Sequence, residues 1–212
     1  MEIEANKKDK PKIKICGLRR EEDVAFVNLF PVQYAGFVFA PSKRQISAAT
    51  AEHLRKQLRP SILAVGVFVN AVPEDIVQLC RKEIIQMIQL HGQEDAAYIQ
   101  MLRQQVTVPI IKAVRVQSRE DILKAQQFDC DGLLLDTYVS GMAGGSGKSF
   151  DYRQIPLMKK PFFLAGGLNP ENVQTAIRSV HPTAVDVSSG VETNGWKDAE
   201  KIRRFVEAVQ TV

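Results

Sequence analysis

An α/β chain closed into a (β/α)8 barrel of the TIM type is what this sequence predicts, on three observations. Short, β-rich apolar runs alternate with longer amphipathic segments about eight times along the chain, the signature of a parallel sheet with helical crossovers. Eight such units within 212 residues fit a closed barrel better than an open two-layered sheet, and the length lies at the small end of the barrel range. Two consecutive apolar runs near the end of the chain also stop in loops of small residues: Phe162–Ala165 enters Gly166-Gly167-Leu168, and Ala184–Val187 enters Ser188-Ser189-Gly190. Such loops can aim backbone N–H groups, and in the second case two hydroxyls, at a phosphate. In a (β/α)8 barrel the phosphate site is built after strands seven and eight.

The predicted strands are Ile13–Cys16, Tyr34–Phe39, Leu63–Val69, Met87–Leu90, Ile110–Val114, Gly132–Leu135, Phe162–Ala165 and Ala184–Val187. Between them, Glu21–Phe30 sets Val24, Val27 and Phe30 on or near one helical face. Pro73–Lys82 opens with Pro-Glu-Asp, which suits a helix N-terminus because the proline lacks only an orphan donor and the acids face the positive end of the dipole. Asp95–Gln104, Ser118–Gln127, Asn172–Val180 and Asp198–Val209 complete the predicted helices. Ser118 with Asp121 has the spacing of a capping box, and Asn169 stands as an N-cap before Pro170. No linker or composition shift divides the chain. Residues 1–10 are expected to be a disordered extension, and residues 11–212 a single barrel domain.

Composition narrows the class. Hydrophobic content is 45%, enough for a sizeable core, and a formal charge of +4 favours an anionic partner only slightly. Lys7, Lys8, Lys10, Lys12 and Lys14 supply much of that excess and read as a solvated basic tail; no basic stripe with interleaved aromatics follows, so no nucleic-acid partner is expected. No apolar stretch reaches the length of a membrane span, and no signal-peptide pattern is present. Cys16, Cys80 and Cys130 are odd in number and widely spaced, which argues for a reducing, cytoplasmic setting and against a disulfide framework or zinc site.

In a barrel, polar residues at strand C-termini face the active site. Here those ends carry Cys16-Gly17, Ser42-Lys43-Arg44, Asn70, His91, Lys112 with Arg115, Asp136-Thr137 and Asp186. Cys16 reads either as a small buried hydrophobe or as a general base, and its place at a strand end before glycine favours the base. Asp136 reads either as a solvated loop carboxylate or as a general acid opposite Cys16. Arg44 is placed to grip a carboxylate bidentately, or is simply exposed. His91 serves packing or the pocket. Cys80 and Cys130 read as structural. Gly144-Gly145-Ser146-Gly147-Lys148-Ser149 evokes a P-loop, but the spacing fails because the first glycine of that motif would fall on Met142. It reads as a loop after strand six that closes over a substrate.

A family resemblance gathers these residues. Lys14-Ile15-Cys16-Gly17-Leu18, Gly36-Phe37-Val38-Phe39, Ser42-Lys43-Arg44-Gln45-Ile46-Ser47, Gly66-Val67-Phe68-Val69-Asn70, Gln89-Leu90-His91-Gly92, Leu134-Leu135-Asp136-Thr137, the 144–151 loop, Leu164–Val173 and Val185–Glu192 are similar, in order, to the motifs of phosphoribosylanthranilate isomerases. The resemblance runs from residue 12 to about residue 205. It implies a cytoplasmic (β/α)8 enzyme of tryptophan biosynthesis that uses neither metal nor cofactor. It implies an Amadori rearrangement of N-(5-phosphoribosyl)anthranilate to 1-(2-carboxyphenylamino)-1-deoxyribulose 5-phosphate. Carried over, Cys16 is the general base, Asp136 the general acid and Arg44 the partner of the substrate carboxylate. Gly166, Gly167, Ser188, Ser189 and Gly190 bind the phosphate, and His91 and Asp186 line the pocket. Arg19 stands where the family usually has Thr, and Lys43 where it has Pro. The partner implied is a small phosphosugar–anthranilate substrate; a homodimer stays open against a monomer.

Two other functions fit the residues less well. A related histidine-pathway aminoaldose isomerase, or a bifunctional version, pairs two aspartates at these strand ends, and Cys16 argues against it. A silent phosphate-binding barrel needs the two late loops but neither Cys16 nor Asp136.

Overall fold

The structure, a computed structural model, describes residues 10–136 and 152–212. Most of the N-terminal extension, Thr137 and the 144–149 loop therefore lie outside the described residues. Eight parallel strands close on themselves in sequence order: β1 Lys12–Cys16, β2 Tyr34–Val38, β3 Leu63–Phe68, β4 Met87–Leu90, β5 Ile110–Arg115, β6 Gly132–Asp136, β7 Phe162–Ala165 and β8 Ala184–Val187. Closure is made by β1 on β8, with Lys12 opposite Ala184 and Lys14 opposite Asp186. The helices are α1 Glu21–Asn28, α2 Ala48–Gln57, α3 Pro73–Arg81, α4 Ala96–Arg103, α5 Arg119–Ala125, α6 Val173–Val180 and α7 Ala199–Gln210. Among the described residues, none is long and apolar enough to cross a membrane.

The strands are buried on both faces, which is why they read as unbroken apolar runs. Tyr34, Val65, Met87, Ile111, Leu134, Phe163 and Ala184 point inward and fill the barrel, with Tyr34 and Phe163 in a tilted ring contact at 5.2 Å. The alternate residues, among them Ile13, Ile15, Phe37, Ile88, Leu133, Leu135, Leu164 and Val185, form the larger core beneath the helices.

The structure adds one helix to those the sequence predicts and moves one cap. Helix α2 was not predicted, because only Ala51 and Leu54 of its ten residues are buried and its apolar face is too narrow to show as a period. Ser47 starts it by accepting the Thr50 N–H at 3.0 Å. Asn169 does cap, but one turn early: its Oδ1 accepts from Glu171 and Asn172 at 3.0 Å each, and regular helix begins at Val173. Before β7 the described chain has only a 3-10 turn, Tyr152–Gln154. The Ser118–Asp121 capping box is present in both directions.

Two of the strand-end polar residues belong to the scaffold. Inward positions on β5 are Ile111 and Ala113, so Lys112 faces the other way. Its ammonium lies 2.7 Å from Gly92 O and 2.9 Å from Glu94 Oε2. Glu94, only 3% exposed, also accepts from Asn70 N at 2.7 Å and Gly92 N at 2.9 Å. Asn70, at φ 50°, accepts from Gln93 N. This clamp ties the ends of β3, β4 and β5 together, and a buried charge set so fully bonded would be strongly destabilised by loss of one partner.

Candidate active site

The parity that turns Lys112 away turns Cys16, His91, Asp136, Asp186 and Ser188 toward the mouth at the strand C-termini. Around the ring the order is Asp136 on β6, Gly166-Gly167 after β7, Asp186 and Ser188–Gly190 on and after β8, Cys16 on β1 and Arg44 after β2. The two late loops thus lie on the arc between the candidate acid and the candidate base.

Cys16 is buried, and room for its thiol is made by Gly36 on the neighbouring strand: a Cβ there would stand 2.7 Å from Sγ. Burial pushes the thiol up from its ordinary value, with Asp186 adding to the push, while the Lys14 and Lys197 ammonium groups pull it back down. The net direction is upward. Lys14, expected to be part of a solvated tail, is fully buried inside the barrel with its Nζ 3.0 Å from Asp186 Oδ1. Burial works against its charge, but Asp186 and Cys16 outweigh that and raise its pKa. Asp186, named as pocket-lining, is also the partner of this buried lysine.

Across the mouth, Asp136 Oδ2 lies 3.4 Å from His91 Nε2, and both side chains are partly exposed. Gln89, inward on β4 two residues earlier, holds the other face of the imidazole, Nε2 to Nδ1 at 2.9 Å. His91 is thus oriented toward the carboxyl rather than packed away.

Arg44 forms a bidentate pair with Glu192, Nε to Oε1 at 2.8 Å and Nη2 to Oε2 at 2.7 Å. Its stem covers Gly17, where a Cβ would meet Cδ at 2.5 Å. Glu192 also accepts from Lys197 at 2.8 Å. Burial pushes the Glu192 carboxyl up, but these two cations outweigh it and hold the pKa low. Lys197 reaches Ser188 O at 3.0 Å, and Ser188 Oγ donates to Cys16 O at 3.0 Å.

The two late loops differ in what their residues do. Gly166 and Gly167 adopt φ 95° and 67°, and nothing lies within 4 Å of a Cβ built on Gly167, so this backbone borders open space. Ser189 is exposed and begins a 3-10 turn, Ser189–Val191. The Ser188 hydroxyl is committed to β1. Gly190 is required by packing, since a Cβ there would stand 1.9 Å from Leu168 O of the neighbouring loop.

Sequence reasoning missed Lys14, Glu192 and Lys197. The signal for the last two was the Asn194-Gly195 dipeptide, whose positive φ values turn a short hairpin, β9 Glu192–Thr193 against β10 Trp196–Lys197, back over the site. The hairpin also explains Arg19. Its guanidinium stacks on Trp196 at 4.1 Å and donates to Lys43 O at 2.7 Å and to Gly195 O, stitching together the loops after β1, β2 and β8. Lys43 supplies that backbone acceptor.

Fold and site together define a class: a barrel enzyme with a thiol and a carboxyl facing one mouth, beside two small-residue loops suited to an anion. Within that class the comparisons are specific. The family model described as N-(5'phosphoribosyl)anthranilate (PRA) isomerase matches residues 13–208. The N-(5'-phosphoribosyl)anthranilate isomerase of Endomicrobium trichonymphae is 48% identical over 202 residues, covering 95% of this chain and 100% of the relative. A crystal structure of phosphoribosyl anthranilate isomerase from Thermotoga maritima superposes with a TM-score of 0.82 at 37% identity, covering 95% of this chain and 100% of the other. Another, in complex with reduced 1-(o-carboxyphenylamino)-1-deoxyribulose 5-phosphate, does so at 0.79 and 34% identity, with coverage of 95% and 100%. The chain belongs to the N-(5'-phosphoribosyl)anthranilate isomerase family, isomerases of tryptophan biosynthesis.

Proposed function

We propose that this chain carries out the reaction for which its family is named, with Cys16 as general base and Asp136 as general acid. The observation that carries the reading is the placing of both groups at one barrel mouth, with the β7 and β8 loops on the arc between them. Asp136 protonates the furanose ring oxygen of N-(5'-phosphoribosyl)anthranilate. The C1–O bond breaks as the nitrogen lone pair forms a C1=N iminium. The iminium acidifies the C2 hydrogen, which the Cys16 thiolate removes, and the electron pair closes a C1=C2 enolamine. Proton return to C1 and loss of the C2 hydroxyl proton give the aminoketose, so the reaction is an isomerisation with no atom gained or lost. His91, within reach of Asp136, orients the acid. Gly166, Gly167, Ser189 and the backbone of Ser188–Gly190 hold the phosphate. The direct test is a fluorescence assay: purified protein should abolish phosphoribosylanthranilate fluorescence at a rate proportional to enzyme, and no loss above background would overturn the reading.

Arg44 is the partner of the anthranilate carboxylate. Glu192 occupies two of its five N–H donors, which leaves the Nη1–Nη2 edge, with one N–H from each nitrogen, for a second carboxylate. Arg44→Ala should cost roughly 1.5–3 kcal/mol of substrate binding, a rise in KM of about 10- to 100-fold. An analogue without the carboxylate should bind wild type and variant alike. If it loses as much affinity as the true substrate does, Arg44 is not the partner.

A further inference from the structure

We propose that Lys14 is a positioning residue for the reaction, the buried counter-cation that allows Cys16 to ionise. The inference rests on Cys16 being the base. Lys14 and Cys16 are two residues apart on β1 and so share its inward face, with Lys14 in the layer below. A buried lysine paired with aspartate is by itself poor value for stability, since apolar residues of similar volume usually serve as well. A role in countering charge accounts for a fully buried ammonium beneath the thiol better than packing does.

The charge count around Sγ makes the point. From β1 comes Lys14, from β8 Asp186, from the hairpin Glu192 and Lys197, and from the loop after β2 Arg44. Among the described residues these are three cations and two carboxylates, an excess of one positive charge. A thiolate at Cys16 balances it. Across the mouth, His91 and Asp136 also face the site, and the count holds with Asp136 in the protonated form that an acid requires. The directions agree: Lys14 and Lys197 each favour the thiolate, whereas Asp186 opposes it. Lys14 keeps its own proton because Asp186 and Cys16 together overcome its burial.

The two members of the buried pair must therefore move the thiol in opposite directions, which a purely structural role would not do. The experiment measures the rate of Cys16 alkylation by iodoacetamide against pH, resolved by peptide mass spectrometry so that Cys80 and Cys130 are scored separately. Lys14→Met should move the midpoint up by roughly one to three pH units, and Asp186→Asn should move it down. Lys14→Arg, which keeps the cation, should leave it near wild type. The low-pH limb of kcat should shift with the alkylation midpoint in each variant. Should Lys14→Met fail to fold, Asp186→Asn and Lys14→Arg still decide the matter. An unmoved midpoint in Lys14→Met, or shifts of the same sign in Lys14→Met and Asp186→Asn, overturns the proposal. Alkylation reads the thiol whether or not the protein turns over substrate, so failure here is distinct from failure of the isomerase assay.

Discussion

Cys16→Ser should lower kcat by roughly 10²- to 10⁴-fold, and Asp136→Asn should do the same, the usual scale for a general acid or base. Serine fits the space that Gly36 leaves beside Sγ, so the fold and the mouth should be unchanged. What disappears is the ability to form an anion, because an alcohol is far too weak an acid. Asparagine keeps the shape of Asp136 but has no proton to give to the ring oxygen. KM should change less in both, since neither group is assigned to the phosphate or the carboxylate. The two act in one proton-transfer sequence, so the double variant should fall short of the product of the single effects. The sign of the pH dependence follows from burial. The thiol of the free protein titrates above its ordinary value of about 8.5. The thiolate is therefore scarce at neutral pH and increases as pH rises, so wild-type kcat/KM should climb through neutrality. That limb should vanish in Cys16→Ser. Steady-state kinetics across the pH range checks both points, and near-normal kcat in Cys16→Ser would refute the thiolate-base role.

Gly190→Ala should raise KM by about 10- to 100-fold and weaken competitive inhibition by inorganic phosphate to a similar degree. The added Cβ would lie 1.9 Å from Leu168 O, 2.9 Å from Leu168 C and 3.0 Å from Asn169 Cα. All three atoms are backbone, so no side chain can swing aside and the β7 and β8 loops must part. Overpacking of this kind costs about 1–3 kcal/mol, which for a chain of this size should lower Tm by several degrees. Gly167→Ala is the matched control. Its Cβ meets nothing within 4 Å, and the cost is confined to holding alanine at φ 67°. It should therefore disturb the neighbouring loop far less. If Gly190→Ala binds inorganic phosphate as tightly as wild type, the two loops do not form the phosphate site.

Much of this protein is legible in its sequence. Met87–Leu90, Phe162–Ala165 and Ala184–Val187 have the predicted bounds, and the other five strands differ by one residue at an end. A central parallel strand is buried on both faces, so its apolar run is a local signal. The Ser118 capping box and the proline start of α3 are local too, each settled within one helical turn. Cys16, His91 and Asp136 could be placed at the mouth because strand ends in a barrel all open on the same face.

What the tertiary structure alone decided is which polar group meets which. Lys14 looked like part of a solvated tail, yet closure of β1 on β8 brings it against Asp186, 172 residues away. Arg44 reaches Glu192 across 148 residues, and Ser188 donates its hydroxyl to the backbone of Cys16 across 172 residues. Lys112, placed with the site by its strand end, turns out to clamp Glu94 because a single step along β5 reverses its face. Local sequence sets a residue's secondary structure and its position on an element through short-range sterics and periodicity. The charge environment of the thiol depends on distant residues joined only when the barrel closes, because burial and Coulomb interaction act through space rather than along the chain.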